Sequence, residues 1–244
     1  MGIGADFIRL TKYGKAETSD MERGLPAPPP EPLFDGKRIA LFAADNKFIK
    51  KTDLSDAIED RRSIRKFSKE EMNLYELSYL LWCTQGVKDV YKNSITFRTV
   101  PSAGARHALD TYVFANNISG LPAGLYRYLA LDHSLGLIEE KNFEEELVLV
   151  CMNQDFLKDA NAVFVWAADA YRMTWKYGER GYRSLFLDAG HASQNLYLSA
   201  EAVMCGVCAI GAFDDDKING ILGLDGENNF TVLMAAVGKK EERE

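Results

Sequence analysis

At 244 residues, with 47% hydrophobic, 27% charged and 11% aromatic residues, the chain can bury a sizeable core as one large domain, or one domain plus an ordered extension. A formal net charge of −7 argues against a nucleic-acid partner, because the phosphate backbone is held mainly by excess Lys and Arg. The longest apolar runs, such as 162–168, fall well short of the roughly 20 residues that span a bilayer, and no basic segment precedes an apolar one at the N-terminus, so no membrane partner is expected and a cytoplasmic location is the default.

The first 50 residues read differently from the rest. Residues 25–32 (LPAPPPEP) place five of the seven prolines in one extended segment. Phe7, Ile8, Tyr13, Phe34, Ile39, Leu41 and Phe42 flank it and make it too apolar for a free tail. Residues 1–50 are therefore expected to form an extended arm packed on the domain or on a partner subunit, with 51–244 as the domain itself.

A short helix is predicted over 54–61, with Thr52 or Asp53 as N-cap. Ser68-Lys69-Glu70-Glu71 is a capping-box pattern that predicts a second helix. Its Leu74, Leu77 and Leu81 stripe, widened by Tyr75 and Trp82, faces the core until Gly86. Strands are predicted over 109–115, 124–131 and 135–139, the last two joined by a turn at Asp132-His133-Ser134. A helix over 143–151 and a fully buried strand over 162–168 follow. The strongest helical signal covers 182–204, where Tyr182, Leu185, Ala189, Ser193, Leu196, Tyr197 and Ala200 recur at 3.6-residue spacing. Strands over 207–213 and 230–237, with a short helix near 214–222 between them, complete the chain. Helices and strands interleave without regular βαβ spacing, which points to an α+β fold.

Two polar groups admit two readings each. Asp188, His191, Asn195 and Ser199 form a narrow stripe on the long helix, suited to lining a site or to bonding neighbouring backbone. Cys205 and Cys208, within C-G-V-C, read as a redox pair or as two small apolar side chains. A zinc ion takes about four ligands, and neither Cys83 nor Cys151 offers a second pair at ligand spacing, so no metal is expected.

Arg61-Arg62-Ser63-Ile64-Arg65 puts three guanidinium groups and a hydroxyl within five residues. Such a cluster suits a phosphate dianion through directional, charge-assisted contacts, although a solvated basic turn has the same composition. Continued by Lys66-Phe67, it resembles the opening motif of the FMN-dependent nitroreductase superfamily. In order behind it, Pro101-Ser102-Ala103-Gly104 is similar to that family's flavin-approaching loop, and Gly206-Val207-Cys208-Ala209-Ile210-Gly211 resembles the segment that runs along the isoalloxazine ring. Thr11-Lys12-Tyr13, Arg23-Gly24-Leu25-Pro26, Pro28-Pro29-Pro30 and Asp188-Ala189-Gly190-His191 resemble the SagB-type dehydrogenase branch, as does Lys176-Tyr177 just before the long helix. That branch includes the oxidases that aromatise thiazoline and oxazoline rings in peptides.

The resemblance implies a nitroreductase-like three-layer α+β fold, with a central mixed, mainly antiparallel sheet, helices on both faces, and an interlocked homodimer carrying two FMN sites. By motif, Arg61 and Ser63 hold the phosphate, and Arg62 and Arg65 lie along the ribityl chain and pyrimidine edge. Pro101, Ser102, Ala103 and Gly104 serve the neighbouring subunit's flavin, while Cys208, Ala209, Ile210 and Gly211 follow the ring. Gly104 and Gly211 suit a backbone close to a flat ring, where a Cβ has little room. Lys239 stands in for the basic pair that completes the phosphate site in many members. Lys176 and Tyr177 are the catalytic candidates, placed to take up a substrate proton; otherwise 171–182 is an aromatic loop with Lys176 in solvent. Arg180 and Arg183 are candidates for an anionic substrate or a neighbouring carboxylate. The expected function is an FMN-dependent dehydrogenase that moves hydride between flavin N5 and a small-molecule or peptide substrate. The alternatives are a reductase of nitro compounds, quinones or flavins with NAD(P)H as transient reductant, and a non-enzymatic flavin-binding sensor or scaffold.

Overall fold

The computed structural model describes residues 2–15, 17–44, 49–91 and 95–241. The expected arm is thus described except at 1, 16 and 45–48, and the expected domain except at 92–94 and 242–244. In chain order the elements begin with α1 (Ile3–Leu10), β1 (Arg38–Ala40), α2 (Leu54–Asp60), β2 (Met72–Asn73) and α3 (Leu74–Gln85). Next come β3 (Val87–Tyr91), β4 (Ile95–Arg98), β5 (Leu109–Ala115), β6 (Ile118–Ser119), β7 (Gly124–Leu129) and β8 (Ser134–Glu139). The chain finishes with α4 (Glu144–Val150), β9 (Ala162–Asp169), α5 (Ala170–Tyr177), α6 (Gly181–Glu201), β10 (Cys205–Ile210), α7 (Asp215–Leu222) and β11 (Asn229–Lys239).

Among the described residues, seven strands form one sheet in the order β1-β8-β7-β5-β9-β11-β10, with every neighbouring pair antiparallel. Side chains alternate across a strand, and here both faces are apolar. Val113, Phe164, Trp166, Ala235 and Val237 face α3, α5 and α6. Their neighbours Tyr112, Phe114, Val163, Val165, Met234 and Ala236 face α4 and α7. This is the three-layer α+β architecture. The parallel pairings lie outside the sheet's own ladder, at β2 with β6 and at a bridge between Ser63 and Val207 on the β10 edge.

Several boundaries differ from the pattern reading. The capping box sits five residues later than Ser68: Asn73 Oδ1 accepts the Glu76 N–H at 2.9 Å, and Glu76 Oε2 accepts the Asn73 N–H at 3.0 Å. Residues 68–72 are held extended instead, because Ser68 N–H bonds Lys239 O, Asn161 Nδ2 bonds Glu70 O, and Met72 N–H bonds Asn117 O. The last sheet strand but one starts at Cys205, two residues early, after Met204 turns the chain at φ 54°. Residues 170–177 are helical where a loop was one expectation; Asp169 caps the helix through the Arg172 N–H, and Gly178 at φ 53° ends it. The β3–β4 pair and α1 are not among the predicted elements, and α1 makes the start of the expected extended arm helical, its apolar residues recurring at helical spacing.

Arg172 is buried and ties four parts of the molecule together. Its guanidinium donates to Asp169 Oδ2 at 3.0 Å, Pro30 O at 3.1 Å and His107 O at 3.3 Å, and forms an ion pair with Asp110 Oδ2 at 2.6 Å. Arg98, also buried, donates to the same Pro30 carbonyl at 3.4 Å. Next to it the Glu31 carboxylate accepts the Ala130 N–H at 2.6 Å, and burial pushes its titration up. Trp175 Nε1 holds Leu25 O at 3.1 Å. Arg180 donates to Thr11 O at 2.6 Å, while Arg183 donates to Thr11 Oγ1 at 2.6 Å and Ile8 O at 2.9 Å. These two arginines therefore bind the arm's own oxygens, which corrects the expectation that they meet an anion or a carboxylate.

Removing one member of a buried ion cluster strands the others. Arg172→Ala is expected to lower the unfolding free energy in urea by about 3–5 kcal/mol and to make the arm more sensitive to protease. Arg38→Ala breaks an exposed pair with Asp132 and is expected to cost under about 1 kcal/mol. Equal losses in the two variants would refute the role given to Arg172.

Candidate functional site

After α2 ends, the chain runs alongside β10. Ser63 pairs with Val207, and Ile64 N–H donates to Val207 O at 2.9 Å. Gly206 permits this approach, since a Cβ there would lie 2.7 Å from Ile64 Cβ. The arrangement puts Arg61, Arg62, Ser63 and Arg65 along one edge of the sheet. Ser63, Arg62 and Arg65 are exposed and Arg61 is half-buried. Among the described residues none of the three arginines pairs with a carboxylate, so their charges remain available to an anion.

Tyr197, from α6, joins this segment to β10. Its hydroxyl lies 2.9 Å from Ser63 Oγ and accepts the Ala209 N–H at 2.8 Å, and the Arg61 guanidinium carbon sits 5.3 Å from its ring centroid. The residue was legible only as part of an apolar stripe. The available signal is that a buried tyrosine, unlike leucine, needs a partner for its hydroxyl. Beside it, Cys208 and Ile210 are buried, Ala209 is half-buried, and a Cβ on exposed Gly211 would meet no protein atom. Cys205 and Cys208 are three apart on a strand and so point to opposite faces. Both are free thiols. Burial pushes Cys205 up to about 12; it also raises Cys208, against the opposing pull of the Arg65 charge. The redox-pair reading is thereby set aside for small buried side chains.

Lys239 does not stand free for a phosphate. Its Nζ lies 2.5 Å from Glu76 Oε1 and 3.3 Å from Val203 O, inside a buried ion pair. The following Lys240 is likewise paired with Glu201. The reason is register: pairing with Cys205 aims the Lys239 side chain at α3.

A second cluster forms where the loop after Pro101 meets α5. Ser102 Oγ accepts the His107 N–H at 2.9 Å, and Ala103–Ala105 makes a single 3₁₀ turn with Gly104 at φ 58°. A Cβ on Gly104 would lie 2.3 Å from Tyr177 Oη and 2.7 Å from Lys176 Nζ. The two polar tips therefore converge on this glycine, with Lys176 Nζ 5.4 Å from the Tyr177 ring centroid. Asp188 of α6 holds the turn from below, Oδ1 accepting the Ala103 N–H at 3.4 Å. Burial raises its carboxyl against the opposing pull of Ser102 and Ala103. Elsewhere on that polar stripe, Asn195 donates to Cys83 O at 2.9 Å and Ser199 to Leu196 O at 3.2 Å, while His191 is exposed. Most of the stripe serves backbone.

The two clusters share α6 without sharing a face. Asp188 and Tyr197 are nine residues apart on that helix. At 1.5 Å and 100° per residue they stand about 13 Å apart and about half a turn around. Phe186 and Leu187 on α6, with Leu54 and Ile58 on α2, are exposed apolar side chains near these clusters.

The nitroreductase family model matches residues 58–239. Among curated proteins, the chain is 36% identical to the nitroreductase-type protein MJ1384 of Methanocaldococcus jannaschii, over 80% of this chain and 94% of that one. It is 24% identical to the trifolitoxin operon protein TfxC of Rhizobium leguminosarum bv. trifolii, over 75% of this chain and 54% of TfxC, so it spans about half that relative's length. Among solved structures, a nitroreductase-type protein of Ralstonia eutropha superposes with a TM-score of 0.71 at 25% identity, over 90% of this chain and 100% of that one. A chain of the E. coli microcin synthetase McbBCD complex, with truncated pro-MccB17 bound, gives 0.63 at 19% identity, over 98% and 92%. A Desulfovibrio desulfuricans nitroreductase-type structure in complex with FMN gives 0.53 at 17% identity, over 80% and 93%.

His107 closes the loop of the second cluster and supplies a pH test. It is buried at φ 44°, and burial together with the Arg98, Arg106 and Arg172 charges pushes its imidazole down to about 3. A depressed histidine is neutral in the fold, so its contribution to stability is complete above its ordinary 6.5 and is lost as pH falls from there toward 3. Within that window this one group adds a slope of up to about 1.4 kcal/mol per pH unit. His107→Asn, which tolerates the positive φ, is expected to flatten the urea-measured stability profile between pH 6.5 and 4. A profile as steep as that of the unaltered protein would overturn the assignment.

Proposed function

Because the chain belongs to the nitroreductase family and is an oxidoreductase, we propose that it is an FMN-dependent dehydrogenase of the SagB-type branch, acting as a homodimer on a small-molecule or peptide substrate. The observation that carries this reading is the convergence of Lys176 Nζ and Tyr177 Oη on Gly104, within the loop whose motif approaches the flavin. The likeness to TfxC and to the McbBCD chain supports the branch, and the bound pro-MccB17 of that complex supports a peptide substrate. The FMN complex of the Desulfovibrio protein supports the cofactor.

The residues fit that cofactor. Arg61 and Ser63, without carboxylate partners among the described residues, would hold its phosphate through charge-assisted hydrogen bonds. Arg62 and Arg65 extend the positive edge toward Cys208–Gly211, where the backbone has room for a flat ring. A cation at that end favours negative charge on a reduced ring. When bound, FMN supplies a two-electron acceptor for a substrate hydride. The Lys176–Tyr177 pair would take up the proton lost from one ring carbon of an azoline as hydride leaves the adjacent carbon and the bond between them becomes double. Because Asp188 and Tyr197 lie half a turn apart on α6, one chain's loop cluster serves the phosphate cluster of a second copy. The exposed Phe186, Leu187, Leu54 and Ile58 then gain apolar cover. A second reading, an NAD(P)H-driven reductase, draws on the nitroreductase-type M. jannaschii relative.

Purified protein is expected to be dimeric and yellow, or to become yellow with FMN. Arg61→Ala combined with Ser63→Ala is expected to weaken FMN binding at least about tenfold, since each charge-assisted contact is worth roughly 1.5–3 kcal/mol. Protein whose absorbance and fluorescence do not respond to added FMN would sink the cofactor assignment, and a monomer carrying full flavin would sink the shared site.

Lys176→Ala and Tyr177→Phe are expected to leave the flavin spectrum and the dimer unchanged while slowing substrate-driven flavin reduction by roughly 10²–10⁴-fold, the usual contribution of a general base. NADPH-driven reduction stays at the unaltered rate, because hydride transfer from nicotinamide releases no proton to a protein base. Undiminished turnover of azoline-containing peptides by both variants would make the pair structural and favour the reductase reading.

A further inference from the structure

We propose that Tyr197 is a positioning residue that turns Ser63 into an outward hydrogen-bond donor for a flavin phosphate and holds Arg61 beside it, an inference that rests on the flavin reading above. The case is made by hydrogen accounting. The Ala209 peptide N–H can only donate, and it donates to the Tyr197 hydroxyl oxygen at 2.8 Å. The phenolic hydrogen then needs an acceptor of its own, since the residue is 8% exposed and a buried donor without a partner is costly. Among the described residues the acceptor in reach is Ser63 Oγ, 2.9 Å away. Tyr197 therefore donates to Ser63. The hydrogen of Ser63 is thereby turned away from the protein, and because Ser63 is exposed it points to solvent and to any anion held there.

Hydrogen bonds arranged in series polarise one another, so the order β10 peptide, Tyr197, Ser63, phosphate strengthens the last member. The ring has a separate task. With the Arg61 guanidinium carbon 5.3 Å from its centroid, it limits the rotamers of a flexible cation and keeps the charge on the same side as the Ser63 hydroxyl. The ligand class selected is a phosphate monoester rather than a neutral alcohol. Neither Lys239 nor Lys240 can replace this arrangement, because each is neutralised by a carboxylate.

Tyr197→Phe removes the hydroxyl and keeps the ring, so it isolates the relay. It also leaves the Ala209 N–H without its acceptor, which could disturb the flavin ring. Measuring FMN and riboflavin on the same preparations cancels that effect, since the two ligands differ only in the phosphate. The unaltered protein is expected to bind FMN at least about tenfold more tightly than riboflavin, in line with one charge-assisted contact. In Tyr197→Phe that preference is expected to shrink by about five- to tenfold, with riboflavin affinity little changed. Ser63→Ala is expected to shrink it similarly, and the double variant no further, because two members of one chain of hydrogen bonds are not additive. A Tyr197→Phe protein that keeps the full preference, or a double variant whose losses add, overturns the relay. An unaltered protein that binds both flavins equally overturns the phosphate contact, and one that binds neither overturns the flavin reading itself.

Discussion

The buried guanidinium of Arg172 is the contact on which the rest of the molecule depends. Its carboxylate partners Asp110 and Asp169 belong to adjacent strands of the sheet, while the carbonyls it holds belong to the arm and to the loop that follows Gly104. It lies one turn before Lys176 on α5. A charge removed from water at such cost persists only when its surroundings are fully committed to it, and here those surroundings are the arm, the sheet and the loop of the second cluster. The Arg172 carbonyl continues the network by accepting Arg106 Nε at 2.9 Å, and Arg106 in turn stacks over the Trp175 ring at 4.7 Å. The proline-rich segment is thus bonded to the same lattice of charges that sets the position of Lys176 and Tyr177.

Helix α6 supplies the second organising element. Ten of its 21 residues are buried, and its successive faces hold the Ser102–Gly104 turn through Asp188, the α3 end through Asn195 and the β10 edge through Tyr197. A single rigid helix therefore sets the spacing between the loop cluster and the arginine cluster. The half-turn phase difference puts the two clusters on different sides of the helix. On the proposed reading, two copies of the same spacing complete two sites, and the phosphate end and the proton-handling end of each come from different subunits.

The arginine–serine cluster at 61–65 and the turn at Gly104 stand out in sequence because both have particular residue types at short spacing. Phosphate needs guanidinium groups and a hydroxyl close together, and the turn at Gly104 needs a residue that tolerates positive φ beside two bulky tips. Tyr197 escaped because periodicity registers that a side chain is buried and is silent about what its hydroxyl meets. Lys239 misled for the opposite reason. A lysine near a chain end reads as a free cation, and only the β10–β11 register reveals Glu76 beneath it. Arg180 and Arg183 misled in the same way, since their acceptors lie some 170 residues away in the arm (|i−j| of 169 and 172).

Local order is legible in the sequence alone: the strand at 109–115, the buried strand at 162–168, the long helix before the C-G-V-C segment, and the short motifs that resemble the family. These depend on patterns a few residues long, where period and composition carry the information. Tertiary structure decided everything that joins distant segments. It moved the capping box from Ser68 to Asn73 because Lys239, Asn161 and Asn117 hold the preceding residues extended. It separated Cys205 from Cys208 by the pleat of a strand and put Lys176 and Tyr177 on a helix against Gly104. Those outcomes rest on hydrogen bonds and ion pairs between residues tens to more than a hundred positions apart, and no short-range pattern encodes which partner each buried polar group finds.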